Sequence, residues 1–163
     1  EGLWSTELAT AACDAIQNKP EGRMEDHVKD PAVFLVEYAD GLKTATLMLS
    51  GYVSDFSYAA RVNGKVQGVE FYLQNEGPFS HFGYLCRNVQ DFFRTKKAPY
   101  PPERTLLTTG IIDAAMNSRH EGHRKIETPF LHIVYSSYDV LPQRPLATRP
   151  TGASIDPQAP DII

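Results

Sequence analysis

Cysteine, glycine-rich motifs and long apolar runs are what this chain has least of. Its 163 residues include two cysteines, Cys13 and Cys86, without the paired spacing of a zinc site. Each falls among apolar residues of an expected helix, so free buried thiols are expected in preference to a disulfide. No apolar run approaches the ~20 residues that a membrane helix needs, which argues against a membrane partner. The net charge is −4 and the acidic residues are scattered, so bulk electrostatics do not draw the chain to nucleic acid. A strand–turn–helix of the form GxGxxG, which would cradle a dinucleotide pyrophosphate, is absent. P-loop, GxSxG and HExxH patterns are absent as well. Gly64 and Gly68 lie in a hairpin that leads into a strand, so no cofactor site is expected within this chain.

What is present is ordinary globular material, with 42% hydrophobic and 22% charged residues, enough for one domain with a core. A first helix is expected from Ser5 or Thr6, either of which can cap it, with Glu7 favoured in the first turn. Trp4, Leu8, Ala11, Ala12, Ala15 and Ile16 share its apolar face, and Asn18-Lys19-Pro20 stops it. A polar loop over residues 21–30 follows. Four strands are then expected, over residues 32–38, 42–50, 53–62 and 65–74, as an antiparallel meander. Asp40-Gly41 marks one turn. Asn63-Gly64 is the strongest hairpin signal, because a type I′ turn needs positive φ at both central positions.

The second half reads as helical. Over residues 79–94, Phe82, Leu85, Cys86, Val89, Phe92 and Phe93 form a stripe at helical spacing. Pro101 or Pro102 opens a third helix where a missing N–H costs nothing. Its stripe is Leu106, Leu107, Ile111, Ala114, Ala115 and Ser118, and Gly122 is its expected C-terminal cap. A fifth strand is expected over residues 125–135, with Pro129 pointing to an edge or a bulge. The domain expected over residues 1–140 ends in a proline-rich extended tail, residues 141–163. The fold class that results is α+β, with an open, mostly antiparallel sheet and helices packed on one face.

Chemistry-bearing clusters are sparse. His120-Glu121-Gly122-His123 has metal-like letters, but Gly122 ends the helix there and third and fourth ligands are missing, so a polar loop is the reading and no metal is assigned. Glu25 and Asp26 fall in a solvated loop, and Asp91 and Asp113 on outward helix faces. No acid, base or nucleophile is assigned, which argues against a small hydrolase or lyase. His81 and Tyr84 head the second helix, near its positive end, where they can meet an anionic or hydroxyl-rich ligand. With Tyr72 at the end of the fourth strand they form the candidate substrate-binding set.

The stretch HFGYLCRNVQDFFRTKKAPYPPERTLLTTGIIDAAMNSRHEGHRKIETP resembles the C-terminal part of the Gfo/Idh/MocA oxidoreductase family. Phe82, Phe92, Lys97, Pro99, Ala114, Ala115, Ser118, Gly122 and Ile126 carry the likeness. The earlier FLVEYADGLKTATLMLS is similar to that family's strand–turn–strand segment, so the resemblance spans residues 32–135. It implies an NAD(P)-dependent sugar or polyol oxidoreductase whose Rossmann half, with its Glu-Lys-Pro segment, lies outside these residues. NAD or NADP would then belong to the intact parent. The family's usual catalytic histidine has no match here, so its site residues do not transfer to any position.

On this reading the chain supplies the substrate-side wall, takes part in binding a small carbohydrate-like substrate, is inactive alone, and forms homo-oligomers through the open sheet face. The alternative is a stand-alone, non-redox binding or assembly module of the same fold. The chain opens on Glu1, without Met, a charged n-region or an apolar h-region, which sets two expectations: a piece of a longer protein, and a cytoplasmic location by default.

Overall fold

The computed structural model describes residues 3–71 and 81–136. The expected tail, residues 141–163, lies outside them, as do residues 72–74 of the expected fourth strand. The chain divides into two compact units, Glu1–Tyr72 and Leu73–Ile163, and each is described by itself. The fold class is α+β.

The first unit starts with α1, Thr6–Asp14. Ser5 caps it, its hydroxyl accepting the Leu8 N–H at 3.3 Å, and Glu7 sits in the first turn. The helix ends well before Pro20. The Ala15 N–H still reaches the Ala11 carbonyl, but the Ile16 N–H has already tightened onto that of Cys13. Ala9, Cys13 and Ile16 are buried, a spacing of four and three along one helical face. That face is rotated from the expected one, which included Trp4 and omitted Ala9 and Cys13. A short helix, α2, occupies Met24–His27 within the expected loop. Asp26 accepts the Arg23 N–H at its start.

Two hairpins complete this unit. Strands β1, Ala32–Glu37, and β2, Lys43–Met48, pair antiparallel, with Phe34 opposite Thr46. Strands β3, Phe56–Val62, and β4, Lys65–Phe71, pair with Ala59 opposite Gly68. Asn63 and Gly64 both take positive φ, 50° and 78°, as a type I′ turn requires.

Antiparallel pairing is therefore as expected, but the single meander is not: among the described residues the strands form two separate two-stranded sheets. The connection between β2 and β3 explains why. The Tyr52 and Val53 N–H groups both fold back onto the Leu49 carbonyl, and the Tyr52 side chain is buried. This segment is committed to packing and cannot act as a tight hairpin turn.

A lone two-stranded hairpin is marginal in water, and α1 supplies the missing cover for β3–β4. The helix lies on the face carrying Ala59, Arg61 and Gly68. Arg61 reaches across to pair with Glu7. A Cβ on Gly68 would lie 2.2 Å from the Ala11 carbonyl oxygen, so the helix backbone rests directly on the strand.

The second unit contains α3, His81–Thr95, and α4, Pro102–His120. Pro102 occupies the opening turn of α4. At its far end Gly122 has φ 79°, and the His123 N–H donates back to the Ser118 carbonyl at 2.7 Å. This is the six-to-one bond of a Schellman cap. No atom lies within 4 Å of a Cβ placed on Gly122, so Gly122→Ala meets only conformational cost. We expect it to destabilise this unit by about 1 kcal/mol, read as a shift in the urea midpoint at unchanged slope.

The expected fifth strand is absent from the described residues. In its place Pro129–Leu131 forms a 3-10 turn. Pro129 offers no ladder N–H, and the Leu131 side chain turns against Gly110 of α4. Ile126, Phe130, Ile133 and Tyr135 supply the apolar side chains of a strand, but among the described residues no strand pairs with this segment.

Candidate functional site

Of the three substrate-binding candidates, Tyr72 lies outside the described residues. His81 is the first residue of α3, and its side chain lies outside them too. Tyr84 stands one turn further along α3, half-buried. Its hydroxyl is shut off from water without a hydrogen-bond partner, as is the Asn88 side-chain oxygen one turn on. The Asn88 amide does donate to the Tyr84 carbonyl at 2.8 Å. The structure thus brings Tyr84 together with Asn88, a residue that sequence reasoning passed over. Two enclosed polar atoms without partners are costly, and they are the kind of groups that a hydroxyl-rich ligand would satisfy.

The covered side of α3 is its polar one. Tyr84, Arg87, Asn88 and Asp91 are half-buried, whereas Phe82, Leu85, Val89, Phe92 and Phe93 are exposed. Helical spacing located the stripe correctly, but not the side on which the helix is covered. Cys86 lies on this open side and is exposed, contrary to the expectation of two buried thiols. Cys13 is buried, and neither cysteine is in a disulfide.

The first unit carries a small cleft of about 190 Å³. Thr6, Thr10, Cys13 and Asp14 line it from α1. Gly22, Arg23, Met24 and Glu25 form another wall, and Tyr52 lines it as well. That wall is held in three ways. The Tyr52 hydroxyl donates to the Gly22 carbonyl at 2.9 Å, the His27 Nε2–H donates to the Glu21 carbonyl at 2.7 Å, and the His27 and Tyr52 rings stack 5.4 Å apart. No motif announces this cleft, because its residues are gathered from positions 6 to 52.

Its charges are largely matched internally. Arg23 pairs with Glu25 at 3.0 Å and Lys19 with Asp14 at 3.6 Å. The Glu25 carboxyl is held below its usual range by its own backbone N–H and then by the Arg23 guanidinium. Burial, and to a lesser degree the Asp14 carboxylate, pushes the Cys13 thiol up, with Lys19 opposing. A thiol kept in its neutral form is a poor nucleophile. The cleft can hydrogen-bond a small polar molecule but has no activated attacking group.

Two outcomes follow for the thiols. At pH 8 Cys86 should react with a thiol reagent about tenfold or more faster than Cys13, which must wait for local opening; peptide mapping after a timed quench checks this. The raised Cys13 pKa also gives a signed pH effect. Below the unfolded value, taken as 9.0, the folded state keeps its full advantage. That advantage falls as pH rises through the higher folded value. Cys13→Ala should flatten stability against pH above about 9, and an unchanged alkaline slope would contradict the buried thiol.

Among the described residues no group of three or more His, Cys, Asp or Glu side chains stands where it could hold a metal ion. His120 is the last residue of α4, and His123 lies beyond the Gly122 cap with φ 67°. Among the described residues no helix is long and apolar enough to cross a membrane.

The outer face of β3–β4 is an uncovered apolar feature of the first unit. Register places Phe56 opposite Phe71 and Tyr58 opposite Val69 on the side away from α1, with Val62 beyond them. Phe56, Tyr58 and Phe71 are 63%, 55% and 53% exposed, and Val62 and Val69 are exposed beside them. The same face carries Lys65 and Gln67 near the turn and no carboxylate. No family model, curated protein or solved structure matches this chain.

Proposed function

We propose that this chain is the substrate-side and oligomerisation domain of an NAD(P)-dependent sugar or polyol oxidoreductase, and that it is not catalytic alone. The resemblance over residues 32–135 suggests the parent activity. The outer face of β3–β4 carries the assembly half of the reading. Its five apolar side chains leave on the order of 500 Å² uncovered per copy, taking aromatic side chains at ~150–250 Å² each. Isolated monomers rarely expose more than a few hundred Å² in one patch. With Ala60, Gln67 and Lys65 around it, the face approaches the ~800 Å² per partner of a standard interface. A second copy is the natural occupant, because one patch can then serve both sides of a two-fold contact.

The buried, unpartnered Tyr84 hydroxyl and Asn88 carbonyl oxygen support the substrate-side half. NAD or NADP would be held by the rest of the parent.

Sedimentation of the chain tests the assembly. Tyr58→Glu places an uncompensated charge at the centre of the patch and should weaken self-association by ~2–4 kcal/mol, roughly 30- to 1000-fold in Kd. Its circular dichroism should stay unchanged, because Tyr58 faces away from α1. A wild-type chain that sediments as a monomer at high concentration would overturn this part of the proposal.

The alternative, a non-redox binding or assembly module, draws on the same face. The intact mass of the protein in its native source separates the two. A mass near twice that of this chain or more, with bound nicotinamide cofactor, supports the oxidoreductase. A mass matching 163 residues leaves the assembly module.

A further inference from the structure

We draw no further inference here: the strongest candidate, the apolar stripe of Phe82, Leu85, Val89 and Phe92 along α3, is an exposed helix face and nothing in the structure shows what covers it.

Discussion

Gly68→Ala should lower the melting temperature of the first unit by about 10–20 °C. The new Cβ would sit 2.2 Å from the Ala11 carbonyl oxygen, 2.9 Å from the Ala11 carbonyl carbon and 3.5 Å from the Ala12 nitrogen. All three are backbone atoms of a helix, so no rotamer change can make room. Either α1 lifts from the hairpin or β4 bends. Overpacking of this kind costs ~1–3 kcal/mol, and a rigid neighbour places it at the upper end. In a unit of this size each kcal/mol moves the melting temperature by roughly 4–8 °C.

Gly110→Ala provides the contrast. There the Cβ would approach the Leu131 Cδ2 at 2.3 Å, but a leucine methyl can swing away. The ~1 kcal/mol that alanine gains over glycine inside a helix offsets most of that cost, so its net effect should be near zero. Thermal unfolding of both variants by circular dichroism decides the matter. A Gly68→Ala variant that melts like the parent would show that α1 is not seated on β4.

Tyr52→Ala should cost ~3–5 kcal/mol, the range for emptying a buried aromatic site. Tyr52 is 5% exposed, and it joins three parts of its unit. Its hydroxyl anchors Gly22, its ring stacks on His27, and the Lys19 ammonium lies 6.0 Å from the ring centroid. Tyr52→Phe removes only the hydroxyl. Gly22 is exposed, so water can take over its carbonyl, and the loss should be ~1 kcal/mol. Equilibrium urea unfolding of the two variants separates packing from anchoring. Equal losses would mean that the hydroxyl, and not the ring, holds the loop.

Local signals carried most of the legible fold. Asn63-Gly64 fixed the β3–β4 hairpin because few other residue pairs accept two consecutive positive φ values. Pro102 and Gly122 bracketed α4 for the complementary reasons of a dispensable N–H and a tolerated left-handed turn. What could not be read was which side of each element is covered. Phe82, Leu85, Val89 and Phe92 define a period, and a period carries no information about the neighbour. The α1 face was misplaced for a related reason: Ala9 and Cys13 bury well because they are small enough for close approach, and small residues weigh little in an apolar pattern.

Residues 125–135 failed in a different way. Their apolar content suits a strand, but a strand exists only where another backbone offers a ladder, and that is a non-local fact. α2, four residues long, is too short to show any period. The cleft was invisible because its lining comes from three separate segments, residues 6–14, 22–25 and 52, which no common spacing links. Tyr84 was legible as a polar residue at the head of a helix. Its companion Asn88 needed the structure, because an amide inside a helix is usually a solvated surface group.

The seating of α1 on β4 also sets an order of events during synthesis. Glu7 and Arg61 are 54 positions apart, so α1 leaves the ribosome long before its platform exists. At ~5–20 residues per second the interval is roughly 3–10 s, whereas a hairpin closes in microseconds once its strands are available. For those seconds the Ala9–Cys13–Ile16 side of a nine-residue helix has nothing to rest on, and a helix so short does not persist alone in water. The nascent chain should therefore carry its first segment unfolded until β4 emerges, and the Cys13 thiol should be open to labelling until that moment and closed after it.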